Sequence, residues 1–235
     1  LGDPTPIESY LNIPKIIQIA KEKKADAIHP GYGFLAENPD FAQTCNNSGI
    51  KFIGPSPEVI SLMGDKIAAK NTMEKAKVPV IPGYHGSKQD NETLVKEGGK
   101  IGFPLLVKAA AGGGGKGMRI VHSEDTLLES IEGAKRESKS SFGDDTVFLE
   151  KYLEKPRHIE FQILADEKGN TIHLFERECS IQRRHQKIIE ESPSPIMTSE
   201  LRTKMGKAAV TAAQAVGYSN AGTVEFMIDE KMNYY

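Results

Sequence analysis

Lys108 closes the apolar run Phe103-Pro104-Leu105-Leu106-Val107 and opens Ala109-Ala110-Ala111-Gly112-Gly113-Gly114-Gly115-Lys116-Gly117-Met118, in which five of the six positions from 112 to 117 are glycine. Glycine lacks a Cβ and admits positive φ, so successive N–H groups can turn inward on a phosphate. Lys108 and Lys116, one at either end, would set positive charge against a polyphosphate. Met118-Arg119-Ile120-Val121 reads as a further strand. A Walker loop or a dinucleotide fingerprint would run into a helix instead. The strand-loop-strand context therefore suggests a flap that closes over phosphates, and a glycine-rich connection without a ligand is the other reading of the same residues.

Other candidates are weaker on residue type alone. Glu150-Lys151-Tyr152-Leu153 falls where a strand gives way to a loop. His158 shares a strand face with Glu160 and Gln162, while His173 reads as structural. The run Gln182-Arg183-Arg184-His185-Gln186-Lys187 is either a solvated basic face or a nucleic-acid patch. Glu176, Glu178, Glu190 and Glu191 flank it and would repel a phosphate backbone, which argues against nucleic acid. Glu225 shares a strand face with Thr223 and Met227, and one carboxylate is a slight metal signal by itself. Lys66 alone is an ordinary helix-surface lysine.

The elements that must position these residues are legible as patterns. Pro14 suits the first turn of a helix whose apolar face is Ile16, Ile17, Ile19 and Ala20. Ala27-Ile28 is a short strand, Asn38-Pro39 starts a helix carrying Phe41, Ala42 and Cys45 inward, and Ile50–Ile53 is the next strand. That alternation predicts a parallel sheet. A helix over 65–77 leads to Val80-Ile81-Pro82-Gly83-Tyr84, which reads as a linker. Beyond it the order is helix near 91–98, strand to Lys108, flap, strand to Val121, helix from an N-cap at Ser123, and strand 147–150. Ile159, Phe161 and Ile163 alternate with polar residues in a half-buried strand, and Lys168-Gly169-Asn170 turns into a partner strand at 171–177. A helix spans 199–216, and 223–228 is a strand that turns back toward Tyr234-Tyr235. The chain reads without an internal repeat.

Composition sets bounds on function. The chain has 235 residues, 38% of them hydrophobic, which suffices for one large domain or two small ones. A net charge of −2 offers no global electrostatic argument for nucleic acid or a membrane surface. Apolar runs are too short to span a bilayer. Cys45 and Cys179 lie far apart, lack metal-ligand spacing and read as reduced thiols.

Several ten-residue blocks together carry a family resemblance. They are His29-Pro30-Gly31-Tyr32-Gly33-Phe34-Leu35-Ala36-Glu37-Asn38 and Glu178-Cys179-Ser180-Ile181-Gln182-Arg183-Arg184-His185-Gln186-Lys187 with Glu190-Glu191-Ser192-Pro193 behind it. Phe148–Leu153, Pro156–Glu160 and Gly222–Phe226 stand in matching order. With the lysine-glycine flap, the chain resembles the biotin carboxylases of the ATP-grasp class over essentially its whole length.

The resemblance implies an ATP-grasp fold of α/β and α+β character. Residues 1–80 would be a partial N-terminal parallel α/β domain, 81–152 a small mobile lid, and 153–235 the start of an antiparallel-sheet C-terminal catalytic domain. It implies ATP contacts from Lys66, Lys108, Gly114, Gly115, Met118, Glu150, Lys151, Tyr152, Leu153, His158, Gln182 and His185, with Glu150–Leu153 as the adenine-holding hinge. Lys187 would bind bicarbonate, helped by Arg183 and Arg184. Glu225 would be the first acidic ligand of Mg²⁺ or Mn²⁺, with a second acid expected beyond Tyr235.

The implied reaction is ATP- and bicarbonate-dependent carboxylation of biotin through carboxyphosphate. Implied partners are a carboxyltransferase component and a biotin carboxyl carrier (domain or subunit). For the full-length protein they include further copies of itself, with no nucleic acid and no membrane. The implied location is the cytoplasm or a mitochondrial matrix. The chain reads as truncated at both ends, and residues 1–235 alone are expected to be inactive. Another ATP-grasp ligase, of carbamoyl-phosphate or purine-pathway type, and a non-catalytic nucleotide-binding module remain as alternatives. The final carboxyl acceptor stays open.

Overall fold

A computed structural model describes residues 2–111, 117–183 and 186–235. In chain order the helices are α1 (Ile13–Glu22), α2 (Pro39–Asn47), α3 (Pro57–Gly64), α4 (Lys66–Lys75), α5 (Asn91–Ile101), α6 (Leu127–Phe142) and α7 (Ser199–Ala215). The strands are β1 (Ala27–Ile28), β2 (Lys51–Phe52), β3 (Gly83–Tyr84), β4 (Leu105–Ala109), β5 (Arg119–Val121), β6 (Val147–Lys151), β7 (Arg157–Ala165), β8 (Thr171–Arg183), β9 (Gln186–Glu191) and β10 (Asn220–Ile228). The chain divides into two compact units, one made of Leu1–Gly64, Glu160–Arg177 and Ser192–Glu225, the other of Asp65–Ile159, Glu178–Glu191 and Phe226–Tyr235. Among the described residues no helix is long and apolar enough to cross a membrane.

In the first unit the local signals act as expected. Asn12 caps α1 by accepting from Lys15 N–H, and Asn38 caps α2 by accepting from Phe41 N–H at 2.8 Å. β1 and β2 pair in parallel. Ile17, Phe41, Cys45, Ile50, Phe52 and Ile60 bury into one cluster around them. Later in the same unit, α7 packs near β8 through a close approach. A Cβ at Gly206 would lie 2.5 Å from His173 Nε2, and His173 stacks edge-on with Phe161 and Phe175.

The second unit is built on an antiparallel sheet of order β3-β6-β4-β5. Leu105, Val107, Val147 and Leu149 turn one way, into a cluster with Leu94 of α5 and Leu127, Ile131 and Ala134 of α6. Strand residues alternate faces, so the same pleat turns Lys108, Phe148 and Glu150 the other way. Register places Lys108 across from Phe148 and Leu106 across from Glu150. A sheet of order β10-β7-β8-β9 completes the topology.

Two expectations need correction. Gly83-Tyr84 is not linker but an edge strand, paired with Glu150 and Leu149 of β6. Two residues carry no readable periodicity, so the pairing was invisible in the sequence. Ser123 does not cap α6: a 3₁₀ turn at Glu124–Thr126 intervenes, and Ser123 is extended without a side-chain capping bond. The helix α3, outside the sequence reading, occupies Pro57–Gly64.

Two turns share a local sequence pattern. Asp166-Glu167-Lys168-Gly169-Asn170 and Asp229-Glu230-Lys231-Met232-Asn233 form the same turn. In each, Asp Oδ1 accepts from the N–H groups two and four residues on, and Oδ2 accepts from the Asn amide. The fourth position is left-handed in both, with φ 88° at Gly169 and 64° at Met232.

Gly83 lets β3 approach β6. A Cβ there would lie 2.3 Å from the Leu149 carbonyl oxygen, so Gly83→Val must push the edge strand outward. The variant is expected to lose about 1–3 kcal/mol, as overpacked sites do. Thermal unfolding of the purified variant checks this, and an unchanged midpoint would show that β3 yields at no cost.

Candidate functional site

The site is centred on Glu150. The residue is only 3% exposed, yet it is charged, because each oxygen has its own lysine: Oε1 meets Lys70 and Oε2 meets Lys108. The Lys108 contact is an ion pair, and Oε2 has no hydrogen-bond partner among the described residues. Both ammonium groups also stand over the Phe148 ring, at 6.0 and 5.9 Å from its centre. Burial works to raise the Glu150 pKa, but the charges of Lys108 and then Lys70 outweigh it and hold the carboxyl below its ordinary value. The folded pKa lies below the unfolded one. This group's contribution to stability is therefore present above the ordinary glutamate range and is lost as pH falls through the depressed value.

Lys66 precedes Lys70 by one helical turn on α4, whose N-terminus Asp65 caps by accepting from Ile67 and Ala68 N–H. Burial, and next the charge of Lys108, lowers the Lys66 pKa, while Glu150 pulls it the other way. Lys70 and Lys108 thus share one carboxylate, with Lys66 within its electrostatic reach, and the surplus of positive charge suits a polyanion. Lys108 leads directly into the glycine loop, where Ala109 N–H donates to the Gly117 carbonyl at 3.2 Å. Gly114, Gly115 and Lys116 lie outside the described residues. Met118, past the loop, is 39% exposed.

The segment after Glu150 is partly committed internally. Lys151 N–H donates to the Pro82 carbonyl, its Nζ to the Phe103 carbonyl, and Tyr152 N–H to the Pro104 carbonyl. The expected pairing of this backbone with a base edge therefore excludes those two N–H groups. Lys151, Tyr152 and Leu153 line a cavity of about 360 Å³, together with Pro104, Asp229 and Tyr235.

The remaining candidates stand on the second sheet. In the second unit, His158 N–H donates to Ser180 Oγ, which in turn donates to Glu178. Gln182 donates its amide to the Cys179 carbonyl and sits across the ladder from Lys187 on β9. Lys187 and Arg183 are exposed, and Arg184 and His185 lie outside the described residues. In the first unit, Glu225 is exposed on β10 beside buried Phe226 in sequence. A carboxylate is the ligand type Mg²⁺ takes, one or two from the protein when phosphates and water supply the rest.

Two sequence arguments change. Glu160 and Gln162 do not accompany His158 as open polar groups, because Arg177 engages both: its Nε donates to Glu160 at 2.8 Å and Nη1 to Gln162 at 3.1 Å. Nor do Glu176 and Glu178 present charge to solvent. Both are buried and paired, with Arg202 and Arg157 respectively. Only Glu190 and Glu191 of the four flanking acids are exposed. Sequence reading missed Lys70, Arg177 and Arg202. For Lys70 a signal existed, since its i,i+4 spacing from Lys66 puts both on one helix face.

A lysine on an antiparallel sheet, at the entry to a glycine-rich stretch of sequence, is consistent with the ATP-grasp fold. Residues 65–235 match the carbamoyl-phosphate synthase L chain, ATP binding domain, and residues 1–60 match the biotin carboxylase N-terminal domain. One pyruvate carboxylase component, from Methanothermobacter thermautotrophicus, is 56% identical over all of this chain and 48% of its own length. The alpha component of mitochondrial methylcrotonoyl-CoA carboxylase from Dictyostelium discoideum is 57% identical over all of this chain and 34% of its own. The biotin carboxylase domain dimer of Hydrogenobacter thermophilus 2-oxoglutarate carboxylase, solved with MgADP, ADP and bicarbonate, superposes with a TM-score of 0.88 at 50% identity, covering 99% of this chain and 51% of that one. The chain thus belongs to the biotin carboxylase family and carries its N-terminal and ATP-binding domains. It spans about half or less of the length of the curated relatives it matches.

Proposed function

We propose that the protein carrying this chain is a biotin carboxylase: it uses ATP and bicarbonate to carboxylate biotin on a carrier domain or subunit, for delivery to a carboxyltransferase. The observation that carries this reading is the cluster of Lys66, Lys70 and Lys108 around buried Glu150 at the mouth of the glycine loop. In this reading Lys66, Lys108, Gly114, Gly115 and Met118 hold the phosphates, and Glu150 with Lys151–Leu153 holds the base. His158, Gln182 and His185 stand near the ribose and phosphates, Lys187 holds bicarbonate, and residues 1–80, 81–152 and 153–235 are the three parts of the machine. Mg²⁺ or Mn²⁺ at Glu225 would neutralise phosphate charge.

The protein's work is mainly charge neutralisation and positioning. Bicarbonate attacks the terminal phosphorus and ADP leaves; the carboxyphosphate C–O bond to phosphate then breaks as the carboxyl carbon, directly or as CO₂, bonds to the ureido nitrogen of biotin, whose proton passes to the released phosphate. The ATP-binding domain alone is shared with carbamoyl-phosphate synthases, so the match of residues 1–60 is what favours biotin. Relatives acting on pyruvate and on methylcrotonoyl-CoA are equally similar, which leaves the final acceptor open. A cytoplasmic or mitochondrial-matrix location and self-association are part of the same proposal, the methylcrotonoyl-CoA carboxylase relative being mitochondrial.

The test is ADP release by the full-length protein with MgATP. It is expected to depend on bicarbonate and to rise on adding free biotin. Turnover that ignores both would sink the assignment, and stimulation by an ammonia donor instead of biotin would point to the carbamoyl-phosphate alternative.

A further inference from the structure

Lys108 has two claims on it. The proposed function sends it to nucleotide phosphates, yet it is ion-paired to a carboxylate that is almost wholly buried. A lysine that leaves such a partner strands a buried charge, unless another cation stays behind. Lys70 is placed to be that cation. It meets the other carboxylate oxygen, so the two lysines do not compete for one atom. It is also the deeper of the two, with its side chain 17% exposed against 26% for Lys108. Lys70 comes from helix α4, whereas Lys108 comes from the strand that runs into the glycine loop. The two cations of Glu150 are thus held by different elements, a helix and a strand.

We propose that Lys70 is the resident counter-ion of Glu150, holding that carboxylate charged and in place while Lys108 exchanges it for the phosphates of a bound nucleotide. Lys70 is then a positioning residue, acting on the nucleotide through Glu150 and Lys108. The inference rests on the nucleotide-binding reading of this site.

The experiment is calorimetric titration of the full-length protein with MgADP, as wild type, Lys70→Met, Lys70→Arg, Glu150→Gln and the Lys70→Met/Glu150→Gln double variant. Without Lys70, Glu150 should hold Lys108 more tightly, and affinity should fall about tenfold, a coupling typical of residues in one charge network. Lys70→Arg keeps the charge and should stay within about threefold of wild type. The decisive comparison is the cycle. With Glu150 neutralised there is no charge to balance, so adding Lys70→Met to Glu150→Gln should change affinity by less than about threefold.

Equal losses in both backgrounds, or Lys70→Met binding like wild type, would overturn the inference while leaving the site's function intact. Wild-type protein that binds no MgADP would overturn the functional reading and this inference with it. Should Lys70→Met not fold, Lys70→Gln keeps a donor to Oε1 without the charge and carries the same comparison.

Discussion

Lys108→Ala in the full-length protein is expected to weaken MgATP use by about ten- to a hundredfold, the value of one charge-assisted hydrogen bond of about 1.5–3 kcal/mol. The reasoning begins with the pleat. Lys108 lies in a strand whose neighbours Val107 and Ala109 turn into the helix-covered cluster, so alternation turns it to the opposite face, beside Phe148 and Glu150. On that face the cations outnumber the carboxylate, and Lys66 already titrates low through burial and the nearness of Lys108. Removing Lys108 relieves that crowding but takes away the cation that β4 carries toward the glycine stretch. Glu150 keeps Lys70, so the variant should fold. Steady-state KM for ATP and turnover, measured beside a thermal midpoint, separate a binding loss from a folding loss. Unchanged ATP kinetics with an unchanged midpoint would remove Lys108 from the site.

The second large effect is on stability and lies in the first unit. Glu176 is 1% exposed and is gripped by Arg202 in a two-pronged pair, Nε to Oε2 at 2.8 Å and Nη2 to Oε1 at 2.7 Å. The same residue's carbonyl accepts from Ser192 Oγ, so β8, α7 and the chain entering α7 meet at this one point. Arg202→Met keeps bulk but leaves a buried carboxylate without its cation. Breaking such a pair costs about 3 kcal/mol here, the low end of the usual range, because Arg202 is partly open to water. That corresponds to a midpoint lower by roughly 6–12 °C.

The pH dependence has a definite sign. The Arg202 bonds hold the Glu176 pKa below its ordinary value, against burial, which raises it. The stabilisation is complete above the ordinary glutamate range and disappears as pH falls through the depressed folded value. The gap between wild type and variant should therefore be widest near neutrality and narrow in acid. A midpoint within experimental error of wild type at pH 7, or a gap that widens in acid, would show that the pair does not hold the unit together.

Much of the local structure could be read without coordinates, because its causes are local. Asn38 before Pro39 makes a capped helix start through bonds that span three residues. Ile159, Phe161 and Ile163 announce their strand by alternation alone, and all three are buried. Lys108 and the glycines are adjacent in sequence, so their joint presence needed no fold to be noticed. The blocks that carried the family resemblance are likewise contiguous runs.

Tertiary structure decided whatever depends on partners distant in sequence. Periodicity cannot tell a solvated glutamate from a buried, paired one, so Glu160, Glu176 and Glu178 looked like surface charge until Arg177, Arg202 and Arg157 were found against them. β9 has every residue exposed and so shows no alternation to read. Gly83-Tyr84 became a strand only because β6 had a free edge and Gly83 has no side chain to hold it off. Lys70 drew no reading of its own from the sequence, because its meaning lies in Glu150, a residue of another element brought beside it by the fold. The residue types suited to a polyanion were written in the sequence; which carboxylate balances which lysine is a property of packing alone.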